Sequence, residues 1–248
     1  MGLRSYSYDL HVHSCLSPCG DDDMTPATIA GMAKLNGLDI CALTDHNSSK
    51  NCKVFAEACR YYGVIPLCGM ELTTSEDVHM ICLFSKPETA LEFDSYVDAK
   101  KVNYKNRPEI FGNQFIVDTD DNIIGEEKNL LINATTVSID EAFEKVNSLG
   151  GACYPAHIDR EANGIVAVLG TFPQTPHFTS YELNDAANLE KVKNDFPWIS
   201  SLNYLVCSDA HRITDISCGE NKVMLDDNYP DASEAVINLL RGDVSFGR

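Results

Sequence analysis

The sequence predicts a single-domain α/β fold on a mostly parallel sheet, closed or open. Three observations predict it. Short apolar runs, rich in β-branched and aromatic residues, alternate along the chain with helix-like segments. Those segments carry their own start and stop residues. The length of 248 residues suits one barrel-sized unit, and 44% hydrophobic with 23% charged residues is enough apolar material for a core.

The strands are expected at Tyr6–Val12, Leu38–Leu43, Val64–Gly69, Val78–Phe84, Gly151–Ala156, Ser180–Leu183 and Tyr204–Cys207. The first helix, Ala27–Asn36, follows a threonine cap at Thr25 and a proline at Pro26, and stops at Gly37. A second spans Ser48–Tyr62 and ends at Gly63. A third, Ser138–Leu149, has Ser138 as cap and Glu141 three residues on, a capping box, before Gly150. The last, Asp231–Arg241, ends before Gly242. Residues 86–135 break the rhythm: they are polar and contain the solvated turn Asp118-Thr119-Asp120-Asp121-Asn122. This stretch is expected to be an insertion over one end of the barrel, helical near Ala90–Tyr104.

The formal net charge is −18. Such a surface repels phosphate backbones and anionic membranes, and it argues against a nucleic-acid polymer as partner. Carboxylates that hold dications would soften this, so a small anionic substrate is still allowed. The start of the chain has no apolar signal region, and no apolar run approaches membrane-spanning length. Cys41, Cys68, Cys82, Cys153 and Cys207 each sit in an apolar stretch as small core residues, with no CxxC pair among the ten cysteines. A reducing cytoplasm is expected. Cys15 and Cys19 stand apart, beside the richest histidine motif.

Six of the seven histidines follow or end an expected strand, most beside acidic residues. His11 and His13 end the first strand, and a period of two puts both imidazoles on one face. The second strand leads into Thr44-Asp45-His46, the third into Gly69-Met70-Glu71, and His79 lies close behind. Ala156-His157 and Ser208-Asp209-Ala210-His211 close two later strands. Imidazole and carboxylate at the C-terminal ends of successive strands are where barrel enzymes place their chemistry. Zinc, iron and manganese take this mixture of nitrogen and oxygen ligands.

The ordered set HVHS, TDH, GME, a following histidine, PAH and a terminal SDAH resembles the polymerase-and-histidinol-phosphatase (PHP) family over essentially the whole chain. The resemblance implies a distorted TIM-like barrel of seven β/α units with two or three divalent metal ions at the strands' C-terminal ends. By position, His11, His13, Glu71 and Asp209 would surround the first ion, and Glu71 would bridge to a second completed by His79 and His157. His46 and His211 would hold a third, with one more ligand from the first loop. There the chain departs from the common HSxxSDG pattern: counting forward from Ser14 reaches Pro18, and counting back from Pro26 reaches Asp21. Asp21 is the expected ligand, with Asp22 and Cys19 as alternatives. Asp45 is expected to orient a ligand histidine from behind.

The implied chemistry is phosphoester hydrolysis, with a metal-bridging hydroxide attacking a small phosphorylated metabolite such as a nucleotide, a sugar phosphate or histidinol phosphate. Arg160 and Arg212 are candidates to clamp phosphate, or else to pair with acidic surface residues. His177 is a weaker candidate for the substrate pocket. Two alternatives stand beside this reading: amide or deamination chemistry on a related metal barrel, and a metal-stabilised module without catalysis. Residue types alone name neither the metal nor the oligomeric state.

Overall fold

A computed structural model describes residues 2–226 and 231–243. Strands β1 (Leu3–Asp9), β2 (Ile40–Leu43) and β3 (Ile65–Thr73) lie side by side and parallel, connected by α1 (Pro26–Leu35) and α2 (Cys52–Tyr62). The start of α1 follows from its sequence, since Thr25 accepts from the Thr28 N–H and Pro26 opens the first turn. Helix α2 begins at Cys52 instead of Ser48. The reason is tertiary: the Asp94 carboxylate accepts from the Ser48 hydroxyl at 2.8 Å and the Ser49 N–H at 2.7 Å, holding both serines in a turn.

The expected strand–helix alternation then fails. Strand β4 (His79–Phe84) returns antiparallel to β3 after a turn of five residues, 74–78. A parallel return needs a crossover of a dozen or more residues, so no helix fits there. Helix α3 (Pro87–Asp98) packs on the outer face, burying Ala90, Phe93 and Val97. Next come α4 (Pro108–Phe111) and the hairpin of β5 (Phe115–Val117) and β6 (Ile123–Glu126), joined by the exposed 118–122 turn. Helix α5 (Ile139–Ser148) carries the expected capping box. Strand β7 (Ala152–Pro155) pairs antiparallel with β4 and so runs with β1–β3. After α6 (Ile165–Leu169), strand β8 (Ser180–Leu183), α7 (Leu189–Asp195) and strand β9 (Asn203–Val206) form a parallel unit. Strand β10 (Lys222–Asp226) lies antiparallel on β1, and α8 (Ala232–Leu240) follows.

The result is a curled six-stranded sheet, β10-β1-β2-β3-β4-β7, with the β8–β9 pair beside it. Past the strand ends, the Ile158 N–H donates to the Glu182 carbonyl at 2.9 Å and the His13 N–H to the Ala210 carbonyl at 2.9 Å. These bonds tie the pair to both sides of the sheet at one end.

Both faces of the sheet are buried, and the period of two sorts the strand residues between two cores. Ile40, Ala42, Leu67, Ile81, Leu83, Tyr154 and Leu205 fill the inner core with Val236, Ile237 and Leu240 of α8. Cys41, Leu43, Cys68, Met70, Met80, Cys82 and Phe84 meet α1, α2 and α3 on the outer side. The five cysteines expected in the core are all buried. No described helix is long and apolar enough to cross a membrane.

Candidate metal centre

Strand geometry delivers the central carboxylate. Leu67 faces the inner core, so Gly69 and Glu71 continue the same inward row on β3. Glu71 pairs in register with Ile81, which puts His79 at the diagonal position two residues away. His79 Nδ1 lies 2.7 Å from Glu71 Oε1. His11, His13, His46, His157, Asp209 and His211 come from the segments that extend β1, β2, β7 and β9 beyond their last paired residues. His157 (φ 27°) and Asp209 (φ 51°) sit in the left-handed region, a costly conformation for residues with a Cβ. Strain of this kind concentrates where a side chain must be aimed.

Five imidazoles surround the one carboxylate. His157 Nε2 is 3.0 Å and His11 Nε2 3.5 Å from Glu71 Oε1, while His46 Nδ1 is 3.0 Å and His13 Nε2 3.4 Å from Oε2. With His79 these complete the set. The Nε2 atoms of His11 and His13 are 3.1 Å apart, and each is 3.2 Å from Asp209 Oδ1. Burial alone would raise the Glu71 carboxyl, yet the charges of His79, His11 and His46 hold it well below the usual carboxylate range. Burial would lower His11, but Glu182, Asp209 and Glu71 raise it well above an ordinary histidine.

The donor set fits divalent ions. Asp209 Oδ1 and His46 Nδ1 are buried without a hydrogen-bond partner, an expensive state unless a cation faces them. Three groups each bring their ligand atoms within 4.8 Å of one another: His11, His13, Glu71 and Asp209; His46, Glu71 and His79; and His13, His46 and His211. Glu71 joins the first two, as a bridging ligand would. His157 meets the same carboxylate and lies 3.3 Å from His79 Nδ1.

The first loop departs from expectation. Asp21 does not reach the histidines: its side chain is 54% exposed and its carboxylate is 3.8 Å from Arg212 Nε. Asp22 points outward to Asn113. Cys19 is exposed as a residue, but its thiol hydrogen-bonds with His46 and His211. Burial of the sulphur would raise the thiol, yet His46 charge and the bonds from both histidines bring it down to about 6. Asp45 accepts from Ser14 N–H, Ser14 Oγ and Ser17 Oγ at 2.7 Å each, and Ser17 Oγ lies 3.0 Å from His13 Nδ1. Asp45 thus acts on His13 through Ser17 instead of touching it.

Glu182 was not anticipated. Its Oε1 accepts from His11 Nδ1 at 2.9 Å and faces the His157 backbone N–H at 3.3 Å. A carboxylate hydrogen-bonded behind a ligand histidine fixes the ring and its tautomer. The available signal was a charged residue inside the short strand Ser180–Leu183. Glu182→Gln keeps the volume and removes the charge, and it is expected to weaken metal affinity roughly 10–100-fold. Chelator competition measures this, and unchanged affinity would remove Glu182 from the centre.

The expected phosphate contacts fare unevenly. Arg160, on the rim, donates to Asp209 Oδ2, whereas Arg212 reaches only Asp21, and its side chain is 69% exposed. His177 is displaced from the centre: it precedes β8, at the strand end opposite Glu182's, and lines a separate groove with Phe143, Asn147, Thr179 and Arg241.

A sequence model of the PHP domain matches residues 9–160, the stretch that holds all the cluster's residues except Glu182, Asp209 and His211. No curated protein matches the sequence. The fold is similar to that of the lesion-specific endonuclease PfuEndoQ from Pyrococcus furiosus (TM-score 0.60, 17% identity), covering 98% of this chain and 57% of that one. A Bifidobacterium adolescentis protein proposed to be a metal-dependent phosphoesterase is similar over 96% of this chain and 97% of its own (TM-score 0.59, 18% identity). So is an amidohydrolase from Chromobacterium violaceum, over 90% and 92% (TM-score 0.56, 19% identity). This chain thus spans little more than half of the endonuclease's length.

One expectation is overturned here. Net charge argued against a nucleic-acid polymer, but the same fold in Endonuclease Q accommodates a 27-mer duplex with an abasic lesion at the active site (TM-score 0.62, 18% identity, 98% of this chain and 58% of that one). The charge of −18 is a whole-chain sum. An approaching phosphate responds to the local field, which bound dications dominate.

Proposed function

The chain belongs to the PHP domain family, and from that premise we propose that it is a metal-dependent hydrolase of phosphate esters. The observation that carries the reading is the convergence of five imidazoles on Glu71, with Asp209 beside them, at one end of the sheet. Divalent ions held there supply Lewis-acid stabilisation of phosphoryl charge and lower the pKa of water. The protein's own part is positioning. Glu182 and Ser17 orient His11 and His13 from behind, and the inner core below closes the site to water from that side. Arg160 stands on the rim, where it can exchange Asp209 for a phosphoryl oxygen.

The substrate we favour is a small phosphorylated metabolite. A second reading, cleavage of a nucleic-acid phosphodiester, draws support from the likeness to Endonuclease Q. The test is a panel assayed with zinc-, manganese- and iron-loaded protein: phosphomonoesters, nucleotides, an aryl phosphodiester and a duplex containing an abasic site. Phosphate release from monoesters supports the first reading, and strand cleavage without it supports the second. Turnover of cyclic amides with no phosphoester cleaved would overturn both.

A further inference from the structure

We propose that Cys19 is a metal ligand, giving the third ion a cysteine–histidine–histidine site with His46 and His211 that prefers zinc to manganese. The inference rests on the reading of the cluster as a metal centre. It begins from a contact: the Cys19 thiol hydrogen-bonds with both imidazoles, which belong to one group of ligand atoms within 4.8 Å. Each histidine is prepared for an ion. His211 Nδ1 lies 2.8 Å from the Asp209 carbonyl, an arrangement that protonates Nδ1 and leaves Nε2 free to coordinate. His46 is 5% exposed, and its Nδ1, although 3.0 Å from Glu71 Oε2, makes no hydrogen bond.

The loop is built to hold the sulphur there. Its ends are joined where the Cys15 N–H donates to the Met24 carbonyl at 2.8 Å, and Ser17 N–H to Ser14 and Gly20 N–H to Ser17 make two tight turns inside it. The Asp21 N–H donates to the His211 carbonyl at 3.0 Å, pinning the loop to the segment that carries His211. From outside, Gly112 (φ 97°) presses on Pro18, where a Cβ would come within 2.0 Å of the Pro18 carbonyl oxygen. Neither Asp21 nor Asp22 offers the site a carboxylate, as both face outward. With sulphur in place of oxygen, the site moves from the preference of carboxylates for manganese towards that of thiolates for zinc.

Cobalt substitution tests this without reference to turnover, because a thiolate bound to Co(II) gives an intense near-ultraviolet charge-transfer band that oxygen and nitrogen ligands do not. Metal-free protein titrated with Co(II) is expected to develop the band, and Cys19→Ser to lose it together with about one ion per chain. Cys19→Asp should restore the ion count without the band, and should bind manganese more tightly relative to zinc than the natural protein, by about tenfold or more. Cobalt bound with no such band, or a band that persists in Cys19→Ser, would overturn the thiolate ligand and leave the metal centre standing. Failure to bind cobalt at all would overturn both.

Discussion

Glu71→Gln is expected to lower kcat/KM on the best phosphoester by about a thousandfold or more, corresponding to about 4 kcal/mol of transition-state stabilisation. The size follows from how many groups depend on one side chain. Both oxygens of Glu71 face histidines, with His79, His157 and His11 around Oε1 and His46 and His13 around Oε2. Two of the three ligand groups share it. An amide offers one acceptor oxygen and one donor nitrogen, so one side of the bridge would turn N–H groups towards ring nitrogens and any ion among them. Elemental analysis should find fewer ions per chain, and stabilisation by added zinc should shrink, since an ion bound only to the folded state raises its stability by mass action. Full metal content with full activity would remove Glu71 from the centre and, with it, the argument that the two groups are one site.

Much of this centre was legible because its ligands obey local rules. An HxH at a strand end, a carboxylate beside a histidine at the next strand ends and a Gly-Met-Glu run all declare themselves within a few residues. What escaped depends on distance. Glu182 is 171 residues from His11, and nothing local to Ser180–Leu183 names its partner. Ser48 was placed in a helix because its neighbourhood favours one, and Asp94, 46 residues away, holds it in a turn instead. Strand direction was invisible for another reason. A period of two reads identically in either sense, so β4 showed its burial pattern but not that it runs against β3. Only the shortness of the 74–78 segment hinted at it. The first loop misled most, because counting along sequence from either side selects positions by number, whereas the two tight turns at Ser14–Ser17 and Ser17–Gly20 decide which side chain faces inward.

The antiparallel return of β4 makes one glycine as consequential as any ligand. Gly69→Ala is expected to cost about 4 kcal/mol, within the range of exceptional single substitutions, and to lower the melting temperature by roughly 8–16 °C. A Cβ at Gly69 would lie 1.9 Å from the Cys82 carbonyl oxygen and 2.9 Å from its carbon. These are backbone atoms in the middle of the β3–β4 pair, so no side-chain rotation relieves the clash; the strands must move apart. Gly125→Ala in β6 is the control, since its nearest neighbour would be a flexible Ile116 side-chain carbon at 3.6 Å. There the expected change in melting temperature is near zero or slightly upward, because alanine narrows the unfolded ensemble. The two strands that Gly69 lets approach carry Glu71 and His79, whose side chains meet at 2.7 Å. Parting them by even a few tenths of an ångström opens the tightest contact in the centre, so metal affinity should fall in whatever fraction of Gly69→Ala remains folded. A variant that melts early yet binds zinc as tightly as the natural protein would show that the centre is shaped by its loops, and that the β3–β4 pair supplies stability alone.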